Sequence, residues 1–132
     1  MDTVYVAGLF DGEGYISIPA RTRGYRLLVG MNITYYPTLK ELQQAYGGHI
    51  YSYKPKCQNC KHVHNWVMTG ENARNFLSNV LSHLKEKKQQ AEVALNFPHT
   101  AYRRNPASQE YHDMQQELYE ELKRLKAFDY VV

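Results

Sequence analysis

The chain has 132 residues, enough for one hydrophobic core and too few for two. Its 43% hydrophobic and 13% aromatic content excludes a disordered polyelectrolyte; no apolar run approaches the ~18 residues of a membrane span and no basic-then-apolar leader opens the chain, so a soluble intracellular protein is expected. Net charge is +3, yet residues 15 to 104 carry thirteen bases against four acids, the footprint of a polyanion binder, while residues 105 to 132 carry six acids and three bases.

Residues 4 to 12 read as the first helix, within the stretch Val6-Ala7-Gly8-Leu9-Phe10-Asp11-Gly12-Glu13-Gly14. Gly8 and Gly12 are four apart and share a helical face, with no side chain to hold another backbone away, so a second helix can pack there closely. Asp11 and Glu13 arrive where that helix ends. Two acids at an apolar junction are costly to bury unless a cation meets them, a divalent metal being one candidate, or else they stay solvated.

Tyr15 to Pro19 reads as a strand with Ile16 and Ile18 on one face and Tyr15 and Ser17 on the other. A basic turn with Arg21, Arg23 and Arg26 follows. Leu27, Val29, Met31 and Ile33 then alternate with Leu28, Gly30, Asn32 and Thr34, a half-buried second strand that closes a hairpin. Tyr35-Tyr36-Pro37 breaks it, Thr38 to Tyr46 forms a helix, and Gly47-Gly48 ends that helix. A second hairpin spans His49 to Lys54 and His62 to Thr69, with Lys54, Lys56 and Lys61 clustered at its tip.

Glu71 to about Leu84 keeps helical spacing through Ala73, Phe76, Leu77, Val80 and Leu81, and Lys85 to Phe97 continues as a polar helix stopped by Pro98. Asn105-Pro106 opens a last helix reaching Lys126, whose Tyr111, Met114, Leu118, Leu122 and Leu125 form a stripe suited to core packing. The tip of the second hairpin also carries Cys57-x-x-Cys60, followed by His62 and His64. Two thiolates and two imidazoles suit tetrahedral zinc, but these histidines follow far more closely than in a zinc finger, which favours an exposed tip without metal.

The order is therefore helix, two strands, helix, two strands, then helices: an α+β unit of αββαββα type in one domain, with a core over about residues 4 to 97 and a helical extension over about 105 to 126. Antiparallel hairpins with helices on one side leave the opposite sheet face open. The pattern places Ser17, Arg21, Arg26, Asn32, Tyr51, Tyr53 and Asn65 there, a set able to hydrogen-bond base edges in a major groove.

Residues 6 to 14, VAGLFDGEG, closely resemble the nine-residue signature of the LAGLIDADG homing endonucleases, and Lys87-Lys88-Gln89-Gln90-Ala91 resembles that family's K-x-x-Q-A segment in the helix after the fourth strand. The resemblance covers roughly residues 4 to 97 and implies the family's αββαββα core. Because the chain has one motif copy where the family's active unit has two, it also implies a homodimer, its motif helices packed through Val4, Ala7, Gly8, Asp11 and Gly12. It assigns Glu13 to a divalent metal between protein and scissile phosphate, with Gly12 and Asp11 beside it; Asp11 is the more structural acid, joining the paired helix ends. Glu13 departs from the family's usual Asp by one methylene. Lys87 and Gln90 would lie near the reacting phosphate.

The function implied is Mg²⁺-dependent, site-specific cleavage of double-stranded DNA across the minor groove of a long pseudo-palindromic target. Mn²⁺ would serve as an activating cofactor and Ca²⁺ as a non-activating substitute. Contacts to DNA are expected from Ser17, Arg21, Arg23, Arg26, Asn32, Tyr35, Tyr51, Tyr53, Lys54, Lys56, Lys61, Asn65, Arg103 and Arg104. The alternative is a non-cleaving nucleic-acid-binding protein of the same scaffold, an intron maturase or a DNA-binding regulator, with RNA as a partner only in that case.

Overall fold

The first helix, α1 (Thr3–Glu13), is started by Asp2, whose carboxylate accepts the Val4 N–H at 2.8 Å. It is stopped at Gly14, which donates to the Phe10 carbonyl and passes directly into β1 (Gly14–Ser17). A Cβ on Gly14 would run into the Phe10 ring, so the helix-to-strand junction requires glycine on steric grounds. The computed structural model describes residues 1–21, 24–97 and 109–131.

The first strand ends before Pro19, which has no N–H for a ladder. The hairpin continues beyond it as a separate short pair, β2 (Ala20–Arg21) and β3 (Gly24–Tyr25), before β4 (Leu28–Ile33) returns alongside β1. Helix α2 (Tyr36–Tyr46), with Pro37 in its first turn, leads through Gly47-Gly48 to β5 (His49–Tyr53) and β6 (Val63–Thr69). The main sheet is antiparallel throughout, in the order β1-β4-β6-β5, so the second strand of each hairpin is central.

The register sets cross-strand partners on a common face. Ile16, Val29, Met31, Trp66 and Met68 point inward and meet Val6, Ala7 and Phe10 of α1, Leu39 and Leu42 of α2, and Ala73, Phe76, Leu77 and Val80 of α3 (Gly70–Val80). Phe76 is the hub of this layer, with its ring edge-on to Phe10 at 5.2 Å, Tyr46 at 5.0 Å and Trp66 at 5.3 Å. Trp66 Nε1 donates to the Gly47 carbonyl at 2.8 Å, which satisfies its buried polar end.

Two expectations for the last third of the chain are corrected. The helix from Glu71 does not run on through Lys85: α3 gives way to a 3₁₀ turn over Leu81–His83, and α4 begins only at Lys88 and ends at Leu95. The break has a tertiary cause, because the Lys85 and Lys87 amides turn to the Asp11 carboxylate instead of to carbonyls four residues back. In α5 (Gln109–Ala127), Met114 is 42% exposed and does not join the core stripe. The buried position is Gln115, which is 1% exposed and accepts the Tyr25 N–H, while Leu122 reaches the core as expected. The helix start expected at Asn105-Pro106 lies outside the described residues. Among the described residues no helix is long and apolar enough to cross a membrane.

Candidate active site and nucleic-acid interface

The two acids at the end of α1 have different surroundings. Asp11 is half-buried, and its two carboxylate oxygens accept the backbone N–H groups of Lys85 at 2.8 Å and Lys87 at 3.0 Å. The Lys87 ammonium reaches back to donate to the Asp11 carbonyl at 2.6 Å, where a cation also complements the carbonyl-rich end of the helix. Asp11 is thus a clasp between α1 and the turn that starts α4, and its partners belong to its own chain. Glu13 is exposed and has no in-chain partner among the described residues. Gln90 lies one helical turn beyond Lys87 and is half-buried.

The donor set suits a hard divalent cation. A carboxylate without competing hydrogen bonds and nearby backbone carbonyls are all-oxygen ligands of the kind Mg²⁺, Mn²⁺ and Ca²⁺ take. Asp11, with both oxygens engaged, fits that role less well than Glu13. Among the described residues no three His, Cys, Asp or Glu side chains converge, so a cation at Glu13 would draw further ligands from backbone, water, substrate or a second chain.

One face of α1 is open. Val4 is 59% exposed and Tyr5 55%, and Gly8 and Gly12 are exposed, with nothing within 4 Å of where a Cβ would stand on either glycine. Val4, Gly8 and Gly12 are spaced by four and line up along this face. Ala7 does not belong to it: the residue is wholly buried in its own chain's core, which removes it from the expected interface.

The face of the sheet turned away from the helices presents four cross-strand rows. Ser17, Leu28 and Thr69 form one; Tyr15, Gly30, Val67 and His49 the next; Asn32, Asn65 and Tyr51 the third; Val63 and Tyr53 the last. Tyr51 and Tyr53 stand out at 59% and 55% exposure, and Asn32 is exposed. Gly14 pairs with Met31, so Asn32 lies one position further, at the end of the sheet where α1 delivers Glu13. Arg26 folds onto this surface, donating to the Thr69 hydroxyl at 2.8 Å. The residues form a shallow groove of about 540 Å³ bordered by Tyr15, Arg26, His49, Tyr51, Asn65 and Asn72.

Tyr15 is one of the members of this surface, with His49, Thr69 and Asn72, that sequence reasoning left out of the expected DNA contacts. Its ring crosses Gly30, where any Cβ would meet it, and its hydroxyl donates to Asn65 Oδ1 at 2.9 Å. Partial burial raises the Tyr15 pKa above its ordinary value, against a smaller opposing effect of the Asn65 hydrogen bond, so the phenol remains a donor at neutral pH. The available signal was parity: Tyr15 is two residues from Ser17 and opposite the glycine of the next strand.

The hairpin tips lie at opposite ends of the sheet, since β4 and β6 run antiparallel. Exposed Lys54, Lys56 and Lys61 occupy the tip at the Ile33 end, and the arginine turn the other; Tyr35, at the start of α2, is 68% exposed. Cys57 and Cys60 are joined by a disulfide across a turn closed by a Cys60 N–H to Cys57 carbonyl bond. His64 is engaged elsewhere, with Ser52 Oγ at 2.7 Å and the Tyr36 ring at 5.0 Å. Arg23, Arg103 and Arg104 lie outside the described residues, as does the side chain of Arg21.

No family model matches the sequence, and no curated protein matches it significantly. Solved structures do. The archaeal intron-encoded homing endonuclease I-Vdi141I, complexed with DNA, superposes with a TM-score of 0.77 at 16% identity over 97% of this chain and 86% of that one. The homing endonuclease I-CvuI, bound to the I-CreI target with magnesium and uncleaved DNA, gives 0.72 at 16% identity over 98% and 85%. The LAGLIDADG meganuclease I-AabMI, bound to uncleaved DNA, gives 0.63 at 18% identity, with 90% of this chain covering 44% of that one.

Proposed function

We propose that this chain, which has the fold of the LAGLIDADG homing endonucleases, is a metal-dependent, site-specific DNA endonuclease that acts as a homodimer. The observation that carries the reading is the division of labour at the end of α1, where Asp11 is consumed by the joint to Lys85 and Lys87 while Glu13 is left exposed and unpartnered beside the sheet face.

In this reading Glu13 holds a divalent cation, with the carbonyl at Gly12 beside it, and Asp11 fixes the helix end so that Glu13 projects at a constant height. When bound, the cation supplies Lewis acidity at a phosphodiester oxygen and a template for an attacking water. Lys87, already anchored on the Asp11 carbonyl, keeps two further N–H donors for the phosphate as charge develops. Asn32, Tyr15 and Asn65 border the same end of the sheet and provide neutral donors and acceptors for DNA.

The open stripe of Val4, Gly8 and Gly12 supports the dimer, because two such helices can meet backbone to backbone about a two-fold axis and bring one Glu13 to each DNA strand. That one chain spans under half of I-AabMI is in keeping with a half-unit. A two-fold protein calls for a pseudo-palindromic target. The rows of tyrosine, asparagine and arginine on the open sheet would read it, and the lysine tip and arginine turn would hold backbone at its two ends.

The test is cleavage of a randomised-site duplex library by wild type and Glu13→Gln, each with Mg²⁺ or Ca²⁺. Wild type should cut in Mg²⁺ and bind without cutting in Ca²⁺, and Glu13→Gln should bind in both and cut in neither. Metal-dependent nicking by Glu13→Gln refutes the assigned role of Glu13, and binding without cutting by wild type in Mg²⁺ and Mn²⁺ leaves a non-cleaving nucleic-acid-binding protein.

A further inference from the structure

Asn65 lies on the central strand β6, between Asn32 of β4 and Tyr51 of β5 in its cross-strand row. It is half-buried and lines the groove on the open sheet face. Its amide is held from the side: the Tyr15 ring crosses from β1 over Gly30 of β4, and its hydroxyl meets Asn65 Oδ1 at 2.9 Å. Chemistry decides which end of the amide turns to Tyr15. A neutral phenol donates well and accepts poorly, and an amide oxygen accepts well, so the oxygen is the end engaged. The phenol is neutral here, since partial burial holds its pKa above the ordinary value. The amide nitrogen, with its two N–H donors, is left without a partner among the described residues.

In a major groove, an asparagine free to use both ends pairs bidentately with adenine, accepting from N6 and donating to N7. One whose oxygen is already committed offers donors, and the edge that takes two donors is that of guanine, whose N7 and O6 both accept. We propose that Asn65 reads a guanine in each half-site of the DNA target, and that Tyr15 is the positioning residue that sets this choice by holding the amide oxygen away from the base. The inference deepens the nuclease reading, on which it rests for duplex DNA as the ligand. The choice between two purines is thus made on β1, two strands away from the residue that touches the base. It also accounts for Gly30, since a Cβ there would close the path by which the Tyr15 ring reaches β6.

The experiment is selection of bound sites from a randomised duplex library in Ca²⁺, read by sequencing, with wild type, Tyr15→Phe, Asn65→Ala and Asn65→Asp. Asn65→Ala locates the position, because one base pair per half-site should lose its preference. Wild type should favour guanine over adenine there by about fivefold or more, and Tyr15→Phe, which removes only the hydroxyl, should bring that ratio to about one or turn it toward adenine. The change should be confined to that position, whereas a merely structural loss would weaken binding to all sites alike. Asn65→Asp keeps an acceptor for Tyr15 and turns an acceptor outward, so its preference should pass to cytosine, whose N4 donates; where Tyr15→Phe does not fold, this variant carries the measurement. Adenine as the wild-type base at the Asn65 position overturns the proposal, as does an unchanged profile in folded Tyr15→Phe or in Asn65→Ala. A guanine preference that Tyr15→Phe removes, with no Mg²⁺-dependent cleavage by wild type, upholds the proposal and defeats the nuclease reading; cleavage by wild type with a profile indifferent to Tyr15→Phe does the reverse.

Discussion

At the scale of single residues, two carboxylates separated by one glycine end up with opposite tasks. Asp11 accepts two backbone N–H groups and carries the joint between α1 and α4, whereas Glu13 faces out. Asp11→Asn should therefore act on stability: the amide keeps one acceptor and turns an NH₂ toward the other backbone donor. The loss of one charge-assisted bond and the clash of donors should cost about 1.5–3 kcal/mol in urea denaturation with an unchanged m-value. Glu13→Gln, with no in-chain partner to lose, should stay within about 0.5 kcal/mol of wild type in the same measurement. Equal destabilisation by the two substitutions would contradict the separation of their roles. The Gly12 spacer was visible in the sequence; which acid would find backbone donors was not, because those donors come from residues more than seventy positions away.

Among the elements, the pivotal connection is the turn from α2 into β5. Gly47 and Gly48 both adopt left-handed backbone conformations, φ +83° and +93°, and the Gly47 carbonyl receives the Trp66 indole N–H. At Gly48 a Cβ would lie 2.8 Å from Met68 Cγ and 2.8 Å from the Val67 carbonyl oxygen, against a central strand that cannot give way. Gly48→Ala should cost about 1–3 kcal/mol from crowding alone, with the unfavourable φ adding to it, and should lower the melting temperature without altering secondary-structure content. A variant as stable as wild type would mean that β5 can shift away from β6. Helix and strand order, and the alternation that sorts core from open face, were legible because burial imposes periods of 3.6 and 2 on any such chain. The break at Lys85–Lys87 was not, since local spacing there is helical and a tertiary acceptor outbids it.

For the whole molecule, the decisive surface is the open stripe of α1. Gly8 has nothing within 4 Å of its Cβ position in the single chain, so Gly8→Leu should leave the monomer's stability within about 0.5 kcal/mol of wild type. It should nevertheless block close approach of two helices, so sedimentation velocity should find monomers where wild type forms dimers, and cleavage of both strands should be lost with it. A normal dimer from Gly8→Leu would place the interface elsewhere. Ala7 marks the limit of reading this face from the motif alone: it is adjacent to Gly8 in sequence and points the other way, into the core. On the sheet side, Tyr15 shows the complementary limit. Its parity placed it on the open face, and only the register, which sets it across Gly30 and beside Asn65, makes it part of a fixed polar pair.

What the sequence determined by itself was local and periodic: the amphipathic order of helices and strands, the glycine pair and acids at the end of the first helix, and the concentration of positive charge between residues 15 and 104. These follow from short-range sterics and from the need to bury one face of each element. What only the tertiary structure decided was which polar groups meet across the fold. Asp11 found the Lys85 and Lys87 amides, Tyr15 found Asn65, and Gln115 took a core place beside Tyr25. Hydrogen bonds and charge pairs between distant segments depend on how helices dock, and that is settled by the summed packing of the core, which no local window of residues contains.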